Sequence, residues 1–222
     1  MTAPHPPLAP TSPARAAVLP LLLAATLAGC VGAAAPASAP AAVTPQDAFF
    51  SALSSHCGRA YAGALVSDQA ADPDMRGRPM VMHVRECSDT RIAVPFHVGN
   101  ADGSWDRSRT WLVTRTGTGL RLKHDHRHED GTADAVTFYG GDTAAPGTAR
   151  AQEFPVDGTS IAMFRANDLA ASVTNVWRVE VDPAGTADGR YAYQLQREGR
   201  LFRVEFDLTR PVAPPPAPWG HE

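Results

Sequence analysis

Residues 120–128 read Leu-Arg-Leu-Lys-His-Asp-His-Arg-His, and every second side chain of this run is apolar or an imidazole. Because successive side chains of an extended strand point to opposite faces, Leu120, Leu122 and the three histidines share one face. The other face carries only charged groups, which is typical of the solvent side of an antiparallel strand. We therefore predict a half-buried strand whose inner face is apolar at one end and rich in histidine at the other.

The chain beyond Gly58 mostly shows the same two-residue alternation, interrupted by turns rich in glycine, aspartate and asparagine. Because the predicted strands follow one another with few intervening helices, the fold class is all-β with mainly antiparallel strands. We predict an up-and-down β-barrel, with a β-sandwich as the alternative. The predicted strands are residues 61–66, 79–85, 91–98, 109–115, 120–128, 135–139, 172–181, 190–196 and 201–208.

Two helices accompany these strands. The first is predicted to begin at Pro45, with Thr44 as its N-cap and with Phe49 and Phe50 on its apolar side. Two phenylalanines on one side of a short helix should plug or flank the core. A second, shorter helix over residues 160–166 is expected to cap an end of the barrel.

Residues 1–29 are predicted to be a signal peptide, because Arg15 precedes a short apolar run that ends in Leu-Ala-Gly-Cys at residues 27–30. The run is shorter than the roughly 20 residues that span a bilayer. Its end resembles a bacterial lipoprotein signal, which implies that Cys30 is lipidated after cleavage. The expected location is the cell envelope, anchored in the outer membrane and facing the periplasm, with secretion as the alternative.

Composition divides the mature chain into three parts. Residues 30–44 combine the lipidated cysteine with a tether rich in alanine and proline. Residues 211–222 contain five prolines and are predicted to be a disordered tail. Residues 45–210 then form a single β-barrel domain, which is long enough to bury a sizeable core.

The net charge bears on whether the chain binds nucleic acid, and the cysteines bear on whether it forms a disulfide after export. Loss of Arg15 with the signal peptide leaves 19 basic against 23 acidic residues, a net charge of −4. Nucleic acid is not an expected partner, because phosphate recognition needs a clustered basic excess. In an exported chain Cys57 and Cys87 are expected to form a disulfide, with a reactive thiol at Cys57, next to His56, as the alternative.

The histidine-rich face is the candidate ligand site. A tight turn at residues 117–118 would place residue 116 opposite residue 119 and so bring the preceding strand alongside. Two guanidinium groups of that strand would then lie beside the imidazoles and favour an anion over a cation. The residues predicted to share the face are Arg107, Arg109, Trp111, His124, His126 and His128.

A hydrogen-bonded structural cluster and a metal site are the other interpretations of this face. Imidazoles at alternate positions of a strand lie roughly 7 Å apart at their Cα atoms, so two of them can bind one metal ion with a ligand from a neighbouring strand. The candidate ligands for zinc or a similar ion are His124, His126 and His128. No other cofactor is expected.

A resemblance to other proteins rests on four segments, residues 106–111 (Asp-Arg-Ser-Arg-Thr-Trp), 123–131 (Lys-His-Asp-His-Arg-His-Glu-Asp-Gly), 139–143 (Tyr-Gly-Gly-Asp-Thr) and 172–177 (Ser-Val-Thr-Asn-Val-Trp). Together they resemble an uncharacterised family of bacterial secreted proteins and lipoproteins. The resemblance covers about residues 48–212 and implies export and one β-rich domain, without assigning an activity or catalytic residues. The strand order is also similar to that of lipocalin-like barrels, which bind small molecules inside.

These observations lead to one expected function and two alternatives. We expect a membrane-anchored envelope lipoprotein that binds a polar or anionic small molecule in its barrel. A metal-dependent or histidine-based enzyme is the first alternative, because imidazoles titrate near neutral pH. A structural or assembly lipoprotein of the envelope is the second. No catalytic residue is assigned.

Overall fold

The computed structural model describes residues 42–221, together with the isolated positions 9 and 12. The signal peptide, Cys30 and most of the tether lie outside the described residues and stay predictions. None of the helices in the described part of the chain is long and apolar enough to cross a membrane.

Three helices and eleven strands follow one another along residues 45–212, in an order close to the predicted one. The helices are α1 (Pro45–Ser54), α2 (Gly158–Ala166) and a short 3₁₀-helix (Ala170–Thr174). The strands are β1 (Ala60–Leu65), β2 (Met80–His83), β3 (Glu86–Cys87), β4 (Arg91–Gly99), β5 (Trp105–Thr116), β6 (Gly119–His126), β7 (Tyr139–Asp142), β8 (Ala151–Pro155), β9 (Val176–Val181), β10 (Arg190–Arg197) and β11 (Arg200–Val212).

The strands form one antiparallel sheet that nearly closes into a barrel. Their order is β7-β6-β5-β4-β2-β1-β11-β10-β9-β8, and β3 pairs with β4 beside this path. The two end strands come together where the Asp157 amide, just after β8, donates to the Gly140 carbonyl of β7 at 2.9 Å. The predicted all-β barrel is confirmed, and the sandwich alternative is wrong because the strands belong to a single sheet.

Helix α1 plugs one end of the barrel. Thr44 caps the helix as predicted, since its hydroxyl accepts a hydrogen bond from the Asp47 amide at 3.0 Å. Phe49 on its inner side is fully buried. The guanidinium of Arg115, near the end of β5, lies 4.2 Å from the centroid of the Phe50 ring. The plugged end is therefore the one that holds the β5–β6 turn.

Large aromatic side chains fill the middle of the barrel. Trp111 stacks against Phe96 and Tyr193, with ring centroids 4.8 and 4.4 Å away. Tyr191 and Phe206 are fully buried beside this stack. Because protein side chains occupy the centre, the end opposite α1 is where a cavity can form.

Cys57 and Cys87 form the predicted disulfide, with an S–S distance of 2.05 Å and Cα atoms 6.2 Å apart. Cys57 follows α1 and Cys87 lies in β3, so the bond ties the plug to the barrel wall. The alternative of a reactive thiol at Cys57 is wrong, because its sulfur is held in this bond.

The C-terminal segment makes defined contacts with the barrel through its described residues, whereas a disordered tail is predicted over residues 211–222. Its described part follows β11 across the outer wall of the barrel. The Trp219 amide donates to the Arg107 carbonyl at 3.2 Å, and the His221 imidazole lies 2.8 Å from the Asp125 carboxylate. Proline restricts the unfolded chain, so a proline-rich segment loses less conformational entropy when such contacts fix it.

Candidate ligand site at the open end of the barrel

The β5–β6 pairing has the predicted register. Arg109 lies opposite His126, and Trp111 lies opposite His124. Residues that are direct partners in an antiparallel pair point to the same side of the sheet. These four side chains therefore start from the inner face, as the alternation in residues 120–128 predicts.

Arg107 does not share that face. The pairing of β5 with β4 shifts register between Asp106 and Arg109, which marks a β-bulge. The bulge places the Asp106 carboxylate beside the Arg109 guanidinium, and the two form an ion pair. Arg107 instead reaches the C-terminal segment on the outer wall, where it donates to the Ala217 carbonyl at 2.6 Å. The predicted position of Arg107 is wrong because one extra residue reverses the alternation.

His128 also lies away from the site. β6 ends at His126, two residues before the predicted end. The His128 amide donates to the Thr132 carbonyl at 2.9 Å, which closes a turn, and its side chain is exposed. Gly131 adopts a φ of 83° in this turn, a conformation that glycine reaches without strain. The turn ends β6 at His126, although the alternation in the sequence continues to His128.

His124 is buried, and both of its ring nitrogens are hydrogen-bonded. Nδ1 lies 3.0 Å from the Tyr139 carbonyl, which can only accept, so Nδ1 carries the proton. Nε2 therefore accepts from the Tyr193 hydroxyl, 2.8 Å away on the far side of the barrel. Burial lowers the pKa of His124 to about 3, so the ring is neutral at physiological pH. His124 thus holds Tyr139 and Tyr193 in place.

His126 lies between the core and the open end. Its Nε2 is 3.1 Å from the Tyr139 hydroxyl. Burial, followed by the nearby Arg109 guanidinium, lowers the pKa of His126 to about 4. Because the charge of Arg109 is balanced by Asp106, the pair of free arginines on which the prediction of an anion site depended is not present.

A cavity of about 230 Å³ opens beside His126 at the end of the barrel opposite α1. Its floor and one wall are aromatic, formed by Tyr139, Phe164, Trp177 and Tyr193. Phe164 comes from α2, so the second helix borders this opening, consistent with its expected position at a barrel end. The rings are buried or half-buried, and Tyr139 meets Phe164 and Trp177 in tilted contacts with ring centroids 5.3 and 5.8 Å apart, which gives the cavity a packed aromatic floor.

Polar groups lie around the rim of the same cavity. They are the imidazole of His126, the carboxylate of Asp134, the hydroxyl of Ser172, the amide of Asn175 and the guanidinium of Arg197. Asp134 lies between β6 and β7, whereas Arg197 ends β10. An apolar cavity with a few polar groups at its edge is the usual form of a small-molecule site.

Larger hollows occur on the surface, including one of about 490 Å³ where β1 meets β11. Both arginines that line this hollow are ion-paired, Arg190 with Glu205 and Arg210 with Asp207. Four of its five charged side chains are thus already paired with neighbours. The cavity beside His126 combines aromatic rings with a carboxylate and a guanidinium that form no ion pair within the described residues, so we take it as the candidate site.

The three histidines named as metal ligands do not converge. The ring centroids of His124 and His126 are 6.5 Å apart, His124 uses both nitrogens, and His128 is exposed in a turn. Within residues 42–221, no group of three or more His, Cys, Asp or Glu side chains could hold a metal ion. The described part of the chain gives the metal alternative no geometric support.

A comparison of the sequence with models of protein families finds no match. A comparison with curated proteins finds no similar sequence either. The resemblance to exported bacterial proteins therefore stays a prediction, and the function has to be argued from the site.

Proposed function

We propose that the protein is a binding module that holds a small polar ligand with a planar, apolar body at the open end of its barrel. The observation that carries this proposal is the cavity of about 230 Å³ above the rings of Tyr139, Trp177 and Tyr193. This volume lies below the range of about 300–1,000 Å³ that is usual for drug-sized ligands, so the ligand has to be small.

Two rings of the cavity floor are held in place by His124. His124 stacks on Tyr139 with ring centroids 4.5 Å apart, and it accepts the hydrogen bond from the Tyr193 hydroxyl. Because these contacts fix the rings before binding, little side-chain entropy is lost when a ligand stacks on them. The neutral ring of His126 adds a hydrogen-bonding group without adding charge.

Filling the cavity should weaken binding strongly. We expect Ser172→Phe, which places a large ring in the cavity, to weaken binding of small phenyl compounds at least tenfold. The control is Thr174→Phe, an exposed position of the same 3₁₀-helix, which should bind like the parent. Isothermal titration calorimetry of L-phenylalanine, phenethylamine, 3-phenylpropionate and 2-phenylethanol measures the effect. Binding by none of the four, or equal binding by parent and Ser172→Phe, would refute the proposed function.

We further propose that this domain works in the cell envelope, held by a lipid on Cys30 in the outer membrane and facing the periplasm. The lipoprotein-like segment at residues 27–30 supports this location. The disulfide between Cys57 and Cys87 supports export as well, because such bonds persist in oxidising compartments.

Removing the acylated thiol should release the protein from the membrane. In cells that process lipoproteins, we expect the parent in the membrane fraction and Cys30→Ser in the soluble fraction or as an unprocessed precursor. Equal amounts of parent and variant in the membrane fraction would argue against the anchor, and a parent found only in the medium would favour secretion.

A further inference from the structure

Two charged side chains from different elements line the candidate cavity. Asp134 belongs to the loop after β6, and Arg197 is the last residue of β10. These two strands face each other across the barrel, because the 2.8 Å hydrogen bond between His124 and Tyr193 joins their inner faces. A carboxylate and a guanidinium from facing parts of the barrel therefore both border the cavity.

The Asp134 carboxylate is held in position but is not neutralised. Its Oδ1 accepts a hydrogen bond from the Val136 amide at 2.8 Å, which fixes the side chain within its own turn. Among the residues that the structure describes, Asp134 forms no ion pair. The other carboxylate oxygen is thus available to a cation or a donor in the cavity.

Arg197 is held in a similar way. Its Nη1 donates to the Oδ1 of Asn175 at 2.9 Å, and Asn175 is almost fully buried. This guanidinium has no carboxylate partner in the described part of the chain, whereas Arg109 nearby is paired with Asp106. A guanidinium has five N–H donors in a planar fork that matches a carboxylate. Because the bond to Asn175 uses only one of these donors, the others can bind a ligand.

We propose that the cavity selects a small zwitterion, a molecule that carries an ammonium group and a carboxylate on a planar apolar body, such as an aromatic α-amino acid. This inference rests on the proposed function and names the ligand class of the same site. The ammonium group pairs with Asp134, the carboxylate pairs with Arg197, and the apolar body lies on Tyr139, Trp177 and Tyr193.

Charge balance favours a zwitterion over a simple anion or cation. The cavity presents one negative and one positive group, and both are partly withdrawn from water. A ligand with a single charge pairs with one of them and leaves the other group desolvated without a partner, which costs affinity. A ligand with both charges satisfies both groups.

Four phenyl compounds that differ in charge test this inference on the full chain by titration calorimetry. L-phenylalanine should bind about tenfold or more tightly than phenethylamine, 3-phenylpropionate or 2-phenylethanol, since it alone can form both charge-assisted pairs. Asp134→Asn should weaken L-phenylalanine and phenethylamine about tenfold and leave 3-phenylpropionate unchanged. Arg197→Gln should weaken L-phenylalanine and 3-phenylpropionate and leave phenethylamine unchanged.

The probe that each variant leaves unchanged also shows that the variant is folded. Glu198→Gln, at the exposed position next to Arg197, is the control for loss of a charge and should bind all probes like the parent. If L-phenylalanine binds no more tightly than 2-phenylethanol, or if neither variant changes the ranking of the probes, the zwitterion inference is overturned while the proposed function stands. If none of the four probes binds, the proposed function fails as well.

Discussion

Lowering the pH from 7.5 to 5 should reduce the free energy of unfolding by about 2 kcal/mol for each of three buried histidines. Burial lowers the pKa of His97, His124 and His126 to about 4, 3 and 4, from an ordinary value of 6.5. Below pH 6.5 the unfolded chain takes up protons at these sites and the folded protein does not. The contribution of these neutral histidines to the free energy of unfolding is therefore fully present above pH 6.5, and it is lost as the pH falls towards 4.

His97 gives the sharpest test of this pH dependence. It lies on the outer wall of β4 beneath the C-terminal segment, fully buried, and its pKa is lowered first by burial and then by the Arg107 guanidinium, with a small opposing effect of Asp106. Within the described residues neither ring nitrogen forms a hydrogen bond of good geometry, and the Pro216 backbone makes only a minor contribution, so His97→Leu removes a group that titrates at little cost in hydrogen bonding.

Urea unfolding at pH 7.5, 6 and 5 measures the effect. We expect His97→Leu to lose about 2 kcal/mol less than the parent between pH 7.5 and 5. Thr110→Val, which removes a buried polar group that does not titrate, is the control and should keep the pH dependence of the parent. Identical pH dependence in His97→Leu and the parent would show that the folded protein binds a proton at His97 as readily as the unfolded chain does, and would contradict the lowered pKa.

Replacing both disulfide cysteines, Cys57→Ser with Cys87→Ser, should lower the free energy of unfolding by roughly 3 to 4 kcal/mol. The two residues are 30 positions apart, and without the bond the unfolded chain regains the entropy of that loop. For a domain of this size the melting temperature should fall by roughly 10 °C. Unfolding of the variant should begin at α1, since the disulfide holds this helix in the end of the barrel.

Calorimetric melting with and without a thiol reductant checks this effect. The parent under reducing conditions should melt close to the double serine variant, and the reductant should not change the variant. A parent whose melting temperature is the same with and without reductant would contradict the account of the bond as a brace for the α1 plug.

The parts of the fold that the sequence predicts are those set by local rules. Alternation of apolar and polar residues placed Leu120, Leu122 and His124 on the inner face, and the tight turn at residues 117–118 fixed the register of β5 on β6. Both rules act over a few residues, so they hold without knowledge of the rest of the chain. The disulfide followed from the export prediction and from a count of two remaining cysteines.

The parts that the sequence does not predict depend on contacts between distant segments. The bulge between Asp106 and Arg109 reverses the alternation, and no feature of the alternation itself marks it. Asp125 was expected to face solvent, yet it is buried because the C-terminal segment covers it. A high proline content indicates that the C-terminal segment buries few apolar side chains. It does not indicate whether the segment forms hydrogen bonds with the outer wall of the barrel.

The residues missed at the candidate site illustrate the same limit. Trp177 and Tyr193 both lie in strands that the alternation predicts, but only closure of the barrel brings them to His124 and His126. Asp134 and Arg197 come from a loop and from a strand end, where the alternation carries no information. Of the predicted site residues, His126 lines the cavity, while His124 supports its floor from beneath.

The central claim is that a small ligand binds at the open end of the barrel, and the indole signals of the four tryptophans test it directly. Trp177 lines the cavity, Trp111 lies in the core, and Trp105 and Trp219 lie on the outer wall. During titration of ¹⁵N-labelled protein with L-phenylalanine, we expect the Trp177 indole N–H signal to shift most, and the Trp105 and Trp219 signals to stay in place. Shifts confined to Trp105 and Trp219, or no shift of any indole signal at millimolar ligand, would contradict the claim.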